Sequence, residues 1–313
     1  MISKTDKILI TGASGLVGTN LLKELVKNGY EVMGLDSKND LRSFDLTARI
    51  FSNFKPSIVF HLAAKVGGIH ANSNYKADFY SDNVLINTNI VNACLKYGTN
   101  YIFAMGTGCA YPKRLENHIL YEKDFLDGIP EFTNDAYAYA KRGLLVHLNS
   151  LAESQSLCFT YCIPANIYGP YDNFHQLNSH VVPGLIRRFC DSVIDKKEEI
   201  FIWGDGSAKR DFLYIDDCVD AIIKLANLKY QGAVNVSSKN LTSIKDLANL
   251  INLESGFKGL IKYDTSKLTG QKQRIMDSSI MDKLCWSPKF ELKNGIKRTV
   301  KWFIENRSHI RER

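Results

Sequence analysis

The sequence contains no long apolar run, and this absence excludes a protein that crosses a membrane by helices. A spanning helix needs about 20 apolar residues, and the segment Met1–Lys7 also lacks the apolar stretch of a secretory signal. The chain has 313 residues, of which 45% are hydrophobic, enough to bury a full core. We therefore expect a folded, soluble, cytoplasmic protein with no membrane partner.

Cysteine pairs and blocks of like charge are also missing. The seven cysteines are scattered and form no C-x-x-C pair, which favours reduced thiols over a disulfide framework or a metal site. The net charge of +7 comes without a basic stripe or a nucleic-acid-binding motif, so we expect no nucleic-acid partner. An anionic small-molecule substrate explains the surplus of positive charge equally well.

The first half of the sequence alternates strand-like and helix-like segments. β-Branched runs predict strands near 7–11, 31–35, 57–62, 100–105 and 158–164, and helical periodicity predicts helices near 15–28, 46–54, 80–97 and 137–155. Such regular crossovers predict an α/β fold with a doubly wound parallel sheet of the Rossmann type.

The alternation breaks after Pro164 into polar, aromatic and Gly/Pro-marked loops, and helical pattern resumes at 216–228 and 243–251. This change predicts a smaller α/β lobe over the carboxyl edge of the sheet. We expect a dinucleotide-binding domain over 1–166 plus about 211–238, and a substrate-binding lobe over about 167–210 and 239–313. Ligands of open α/β sheets bind in the cleft at that edge.

Gly12, Gly15 and Gly18 follow the first strand and precede an amphipathic helix. The first two glycines permit a tight turn and a close backbone approach, and Gly18 lets the helix pack on the strand. The helix N-terminus then faces a pyrophosphate. Because the spacing is G-x-x-G-x-x-G instead of G-x-G-x-x-G, a plain turn before a helix is the alternative.

Asp36 ends the second strand, at the place where a carboxylate accepts hydrogen bonds from the ribose hydroxyls of a dinucleotide. The same charge repels a 2′-phosphate, so NAD is the expected cofactor in preference to NADP. Two alternatives stay open: Lys38 could still reach a phosphate, and Asp36 could be a solvated residue at a strand end. Asp45 is the natural contact for the adenine amino group.

Tyr137 and Lys141 are spaced to lie on one face of a predicted helix. We expect the ammonium to stabilise phenolate and to lower the pKa of the phenol, so that Tyr137 can exchange the proton that accompanies hydride transfer. Thr107, just after a strand, could hold the substrate oxygen beside Tyr137. A surface Tyr-Lys pair and a turn-capping Thr are the structural alternatives.

Longer segments of the chain resemble one family, GDP-L-fucose synthase, the GDP-4-keto-6-deoxy-mannose epimerase/reductase of the extended short-chain dehydrogenase/reductase superfamily. The matching segments are A-K-V-G-G-I at 64–69, C-A-Y-P at 109–112, Y-A-Y-A-K at 137–141, D-N-F-H at 172–175, S-H-V at 179–181 and W-G-D-G at 203–206. The resemblance implies hydride transfer at carbon 4 of a GDP-linked manno-type sugar, for surface polysaccharide biosynthesis. It also implies a homodimer joined through the helices near 80–97 and 137–155.

The resemblance further implies roles for individual residues. Tyr137, Lys141 and Thr107 would serve the reduction, and Cys109 and His180 would be the base and acid that invert carbons 3 and 5; alone, the last two suggest a structural thiol and a hydrogen-bonding imidazole. The implied cofactor contacts are Gly12, Ser14, Gly15, Leu16, Val17, Asp36, Asp45, Leu46, Leu62, Ala63, Ala64, Asn83, Tyr137, Lys141, Pro164, Asn166 and Ile167. The implied substrate contacts are Lys65, Asn173, His180, Val181, Arg188, Trp203, Arg210 and Arg274.

Two departures from the family pattern bear on the cofactor and the reaction. The chain has Ala13-Ser14 where the family loop usually carries a basic residue, and Asp36 at the strand end, which again favours NAD. Thr107-Gly108-Cys109 replaces the family's S-S-C and so removes one hydroxyl. The alternative function is an NAD-dependent carbon-4 dehydrogenase of an unmodified GDP-sugar such as GDP-manno-heptose, without epimerisation. A non-catalytic cofactor-binding regulator is disfavoured, because the Tyr-Lys pair is retained.

Overall fold

The computed structural model describes residues 1–266 and 272–310. The strands are β1 Lys7–Thr11, β2 Glu31–Leu35, β3 Ile58–His61, β4 Tyr101–Met105, β5 Ile119–Leu120, β6 Phe159–Pro164, β7 Asn166–Tyr168, β8 Glu199–Trp203, β9 Lys209–Tyr214, β10 Gly232–Val236, β11 Leu241–Ser243, β12 Leu260–Asp264 and β13 Ile275–Met276. The helices are α1 Leu16–Lys27, α2 Phe44–Phe54, α3 Ile69–Asn74, α4 Lys76–Lys96, α5 Asp135–Gln155, α6 Val181–Ile194, α7 Ile215–Leu228, α8 Ile244–Ser255, α9 Ser279–Lys283 and α10 Leu292–Glu305.

The central sheet has six strands in the order β10-β6-β4-β3-β1-β2, and every neighbouring pair is parallel. The predicted doubly wound parallel sheet is therefore confirmed. The chain runs outward from β1 to β2 on one side and from β1 to β3 on the other. This reversal of strand order opens a crevice at the carboxyl ends of β1 and β3, which is where ligands of such sheets bind.

Both faces of the central sheet are buried, and β1 illustrates why its strands are apolar throughout. Ile8 and Ile10 belong to the core on one face of the sheet, and Leu9 belongs to the core on the other. Successive strand residues point to opposite faces, so a strand covered on both sides needs an uninterrupted apolar run. That run is the pattern from which the strands were predicted.

The inner side of α4 is more polar than its sequence pattern indicates. The sequence predicts an apolar side made by Val84, Ile86, Ile90, Val91 and Leu95. Only Ile90 and Val91 are fully buried, and Asn83, Asn87 and Asn89 are buried beside them. The side-chain amide of Asn89 donates to the carbonyl oxygens of residues 41 and 42 at 3.0 and 2.8 Å. Asn83 and Asn89 thus satisfy loop backbone that would otherwise lack hydrogen-bond partners, whereas Asn87 contacts the His61 side chain and helix α5.

The smaller lobe begins directly after β6. β7 pairs in parallel with β9, β11 pairs antiparallel with β9, and β8 pairs in parallel with β12. Phe174 packs against Phe303 of α10, with ring centroids 4.9 Å apart. The expected domain boundaries stay a prediction. Strand β9 crosses the expected boundary at residue 211. Residues 267–271 and 311–313 of the expected lobe lie outside the described residues.

Three further findings concern membranes, cysteines and metals. No helix within 1–266 and 272–310 is long and apolar enough to cross a membrane. All seven cysteines are free. Among the described residues, no cluster of His, Cys, Asp and Glu has the arrangement of a metal site.

Candidate active site

The glycine loop packs closely against the end of β3. Gly12 has a φ of +72°, and a Cβ built on it would lie 2.9 Å from the Cα of Ala63. A Cβ on Gly18 would lie 2.1 Å from the carbonyl oxygen of Gly12. Gly15 is the N-cap of α1, so the first amides of this helix have no partner within the helix and point toward the crevice. This loop fits a dinucleotide pyrophosphate.

Gly18→Ala is expected to destabilise the fold by about 1–3 kcal/mol or more, because the new methyl group meets backbone that cannot move aside cheaply. Dinucleotide affinity is expected to fall with it. Urea unfolding and calorimetric titration with NAD measure the two effects. Lys27→Ala, on the exposed side of the same helix, is the control, and equal behaviour of the two variants contradicts the packing argument.

The end of β2 carries the acidic residue expected at the ribose. Asp36 is half-buried, and its Oδ1 accepts a hydrogen bond from the amide of Lys38 at 2.9 Å. The side chain of Lys38 is exposed. Asp45 is exposed in the first turn of α2, beside Leu46, whose amide donates to the Ser43 hydroxyl at 3.3 Å.

A buried hydrogen-bond network, which the sequence pattern did not reveal, fixes the loop after β3. His61 is fully buried, with Nδ1 2.9 Å from Thr11 Oγ1 and Nε2 2.9 Å from Asn87 Oδ1. An amide oxygen only accepts, so Nε2 carries the proton and the Thr11 hydroxyl donates to Nδ1. Thr11 Oγ1 also accepts from the amides of Leu62 and Ala63, each at 3.1 Å. Burial, and then the charge of Lys141, lower the pKa of His61 to about 4, which keeps it neutral.

The loop continues through Ala64 to Lys65, which contacts three residues of α4. Asn83 accepts from the amide of Lys65 at 2.9 Å and donates to its carbonyl oxygen at 3.0 Å. The ammonium of Lys65 binds Asp82 at 2.8 Å and lies 3.6 Å from Asp78. In this structure it therefore pairs with carboxylates of α4, and its expected substrate contact stays a prediction.

Tyr137 and Lys141 lie buried in the first turns of α5, beside the end of β4. The ammonium of Lys141 donates to the carbonyl oxygen of Met105 at 2.8 Å and lies 5.9 Å from the centroid of the Tyr137 ring. Burial lowers the pKa of Lys141 to about 8. Burial, and then the charge of Cys109, raise the pKa of Tyr137. The expected lowering of this pKa is wrong for this structure, because the ammonium donates to backbone instead of to the phenol.

The turn after β4 carries Thr107 and Cys109. Thr107 caps the turn, since its hydroxyl accepts from the amide of Cys109 at 3.3 Å, and Asn134 at the start of α5 donates to the carbonyl oxygen of Cys109 at 3.3 Å. Arg274 donates from Nη1 to the sulfur of Cys109 at 3.1 Å. Burial raises the pKa of this thiol, but the charge and hydrogen bond of Arg274 outweigh burial, and the net pKa is lowered.

The remaining expected ligands lie on the lobe side of the crevice. His180 is the exposed N-cap of α6, with Val181 next to it, and the carbonyl oxygen of Asn178 accepts from the amide of Gly68 at 3.0 Å. The loop that contains Asn173 and His180 therefore adjoins the loop of Lys65. Pro164 ends β6, and the neighbouring Asn166 and Ile167 begin β7.

Of the four residues expected at the nucleotide, the three besides Arg274 differ in exposure. Arg188 of α6 donates to the carbonyl oxygen of Phe201 at 2.5 Å, and Trp203, two residues on, is 57% exposed. Arg210 of β9 is half-buried, and burial, followed by the charge of Arg274, lowers its pKa to about 10. The structure thus brings Arg210 and Arg274 together beside Cys109, whereas Arg188 and Trp203 lie around β8.

Comparison with known proteins identifies the family of this chain. The model of the NAD dependent epimerase/dehydratase family matches residues 8–237. GDP-L-fucose synthase 1 of Arabidopsis thaliana is 37% identical over 313 residues, 98% of this chain and 95% of that protein. GDP-L-fucose synthase of Escherichia coli strain K12 is 32% identical over 318 residues, 98% of this chain and 99% of that protein. The chain belongs to the GDP-L-fucose synthase group of this epimerase/dehydratase family.

Solved structures agree with this family assignment. A GDP-L-fucose synthetase from Naegleria fowleri bound to NADP has a TM-score of 0.89 at 31% identity, covering 100% of this chain and 96% of that one. A GDP-mannoheptose C4 reductase from Campylobacter jejuni with NADP bound has a TM-score of 0.87 at 26% identity, covering 97% and 100%. The protein is therefore a nicotinamide-dependent enzyme with the extended short-chain dehydrogenase/reductase fold.

Proposed function

We propose that this enzyme reduces and epimerises a GDP-4-keto-6-deoxy sugar of the manno type, with hydride transfer at carbon 4. The observation that carries the proposal is the cluster of Tyr137, Lys141, Thr107 and Cys109 at the carboxyl end of β4. It combines a proton donor for reduction with a thiol for proton exchange at neighbouring carbons. Sequence identities of 37% and 32% to two GDP-L-fucose synthases, each over 98% of this chain, support GDP as the nucleotide.

The residues divide the reaction between them. When bound, the nicotinamide cofactor supplies the hydride. Cys109 as thiolate removes the proton from a carbon beside the ketone, whose oxygen takes the electron pair, and His180 returns a proton on the opposite face. Thr107 orients the sugar oxygen, and Tyr137 donates the proton that completes reduction to the alcohol. Lys141 places a buried positive charge 5.9 Å from the centroid of the Tyr137 ring, while its ammonium donates to the carbonyl oxygen of Met105.

Other residues hold the two ligands. The amides of α1 and the loop Gly12–Val17 hold the pyrophosphate of the cofactor, and Asp45 and Leu46 lie at the adenine. The nicotinamide half is lined by Leu62, Ala63, Ala64, Asn83, Pro164, Asn166 and Ile167. Arg188, Trp203, Arg210 and Arg274 hold GDP, with guanidinium groups suited to paired contacts with phosphate oxygens. Lys65, Asn173 and Val181 contact the sugar.

A second candidate function is an NAD-dependent carbon-4 dehydrogenase of an unmodified GDP-sugar, such as GDP-manno-heptose. Two features favour it. Gly108 stands where the family has a hydroxyl between Thr107 and Cys109, and Asp36 favours NAD, which is mostly oxidised in cells and so suits oxidation of the sugar. The likeness to the GDP-mannoheptose C4 reductase supports a heptose as the sugar.

One assay separates the two functions. The purified enzyme is given GDP-mannose, GDP-manno-heptose and their 4-keto derivatives with both cofactors, and absorbance of the reduced nicotinamide is followed in both directions. Consumption of reduced cofactor with the 4-keto-6-deoxy sugar, with deuterium uptake at carbons 3 and 5, supports the first function. Reduction of NAD by an unmodified GDP-sugar without deuterium uptake supports the second, and no turnover with any of them contradicts both.

We infer NAD as the preferred cofactor from the position of Asp36 after β2. Asp36→Asn is expected to improve the ratio of kcat/KM for NADPH to that for NADH by about tenfold, because a repulsive charge near the 2′-phosphate is removed. Glu31→Gln, exposed at the opposite end of β2, is the control. An unchanged ratio in Asp36→Asn contradicts the NAD preference.

We infer a homodimer joined through α4 and α5. Their outer faces carry Leu85, Tyr139 and Val146, which are 47%, 44% and 49% exposed in the single chain. Val146→Glu is expected to convert the dimer to a monomer by placing a charge in the apolar interface, and light scattering measures the mass. Val26→Glu, at an exposed position of α1, is expected to leave the dimer intact.

The proposed setting is the cytoplasm, where the enzyme supplies sugar nucleotides for capsule and other surface polysaccharides. Seven free cysteines suit a reducing compartment.

A further inference from the structure

Cys109 and Arg274 are 165 positions apart in sequence, yet the Arg274 guanidinium donates directly to the Cys109 sulfur at 3.1 Å. We propose that Arg274 holds Cys109 as a thiolate, and so prepares it as a base before the sugar binds. This inference rests on the proposed function, and it gives Arg274 a task beyond the phosphate contact implied by the sequence.

The segment that carries Arg274 is anchored on both sides. β13 follows Arg274 and pairs in parallel with β5. Both β5 and Cys109 lie in the segment that connects β4 to α5. On the other side, the amide of Lys209 in β9 donates to the carbonyl oxygen of Lys272 at 2.8 Å. Met276 Sδ lies 3.7 Å from the position of a Cβ on Gly108. The contact between guanidinium and thiol is therefore set by strand pairing and packing.

The charges around Cys109 favour the thiolate. Arg210 of β9 is a second cation near the sulfur, and the Thr107 side chain provides a further hydrogen bond. Glu116, in the segment that connects β4 to α5, faces Arg210, and Tyr137 of α5 faces Cys109. Burial raises the pKa of Cys109, but Arg274, Thr107 and Arg210 lower it and leave it below its usual range, whereas burial raises the pKa of Cys94, Cys162 and Cys218.

A thiolate at position 109 also serves the second half of the reaction. Burial, and then this negative charge, raise the pKa of Tyr137 and so keep the phenol protonated, which is the form that reduction of a ketone needs. When Cys109 takes a proton from the sugar, the C–H bond breaks, an S–H bond forms and the electron pair moves to the ketone oxygen.

The test is the pH dependence of alkylation by iodoacetamide, followed at each cysteine by peptide mass spectrometry without substrate. The inflection for Cys109 is expected below the usual thiol value of about 8.5. Arg274→Gln is expected to raise the inflection by about one pH unit or more, because the opposite charge is removed. Arg274→Lys keeps the charge and is expected to stay near the wild type. Exposed Cys285 is the internal reference.

An inflection that Arg274→Gln leaves unchanged overturns the proposal, and if GDP affinity by calorimetry falls in that variant, Arg274 acts only on the nucleotide. A second measurement is needed if Arg274→Gln does not fold. The ultraviolet absorbance of the wild type is titrated with pH against that of Cys109→Ser, and the difference reports the Cys109 thiolate without any change at position 274. A thiol that titrates at or above its usual value there also overturns the proposal. Because no sugar is present, failure of the proposed reaction does not affect either result.

Discussion

Tyr137→Phe is expected to lower kcat by about 10²- to 10⁴-fold, which is the usual contribution of a positioned general acid or base. The substitution removes only the hydroxyl, and the ring keeps its edge contact with Phe79, whose centroid lies 6.4 Å away. Fold and cofactor affinity are therefore expected to persist. Steady-state rates with the sugar accepted by the wild type, together with NAD titration of the variant, measure both properties.

Tyr139→Phe is the matched control for this prediction. It makes the same chemical change two residues away on the same helix, at a side chain that is 44% exposed, and it is expected to leave kcat unchanged. A Tyr137→Phe enzyme that loses less than about tenfold in kcat shows that another group transfers the proton. Equal losses in the two variants point to the helix instead of the hydroxyl.

The elements that sequence predicted best are those whose signal is local. The strand near 7–11 is β1 and the helix near 137–155 lies within α5, because an apolar run or a helical period depends only on neighbouring residues. Helix α10 was not predicted, although its buried residues Ile296, Val300 and Phe303 have the i, i+4, i+7 spacing of one helical face. What the spacing does not show is the partner, since Phe303 packs against Phe174, more than a hundred positions away.

The same contrast between local sequence patterns and contacts of distant residues explains which parts of the candidate site could be predicted. The glycine loop and the Tyr-Lys spacing are local patterns, so their positions could be predicted. Thr11, His61 and Asn87 were missed because their network joins two strands and a helix; the available signal was an imidazole at the end of an apolar strand. Sequence also gave the wrong direction for the pKa of Tyr137, since spacing alone does not tell where an ammonium donates.

Arg142 is another residue whose role appears only in three dimensions. It is buried next to Lys141, and it donates from Nε to the carbonyl oxygen of Ala110 at 2.8 Å and from Nη1 to that of Gly128 at 2.5 Å. These bonds join the connecting segment between β4 and α5, which contains Cys109, to helix α5, which contains Tyr137. No local pattern predicts them, because carbonyl oxygens belong to every residue type.

Lys141→Met is expected to stabilise the protein at neutral pH while it removes most of the activity. The side chain is 1% exposed, and burial lowers its pKa to about 8, against about 10.4 in an unfolded chain. A difference of this size corresponds to about 3 kcal/mol of lost stability at pH 7. The hydrogen bond to Met105, which the variant loses, offsets about 1 kcal/mol, so a net gain of about 1–2 kcal/mol is expected.

The pH dependence gives this prediction its sign. Between about pH 8 and pH 10.4 the folded wild type has released the proton of Lys141, whereas the unfolded chain still holds it. The wild type therefore gains stability as pH rises through this window, and the advantage of the Met variant shrinks. Urea unfolding at about pH 7 and about pH 10 measures the change. Lys96→Met, at an exposed position of α4, is expected to change stability little at either pH.

A Met variant that is less stable than the wild type at neutral pH would mean that the bond to Met105 outweighs the cost of burying the ammonium. The expected result has a mechanistic consequence. A cation kept in the core against its own contribution to stability is retained for what it does to its neighbours. Here those neighbours are Tyr137, whose ring centroid lies 5.9 Å from the ammonium, and His61, which burial and then the charge of Lys141 keep neutral.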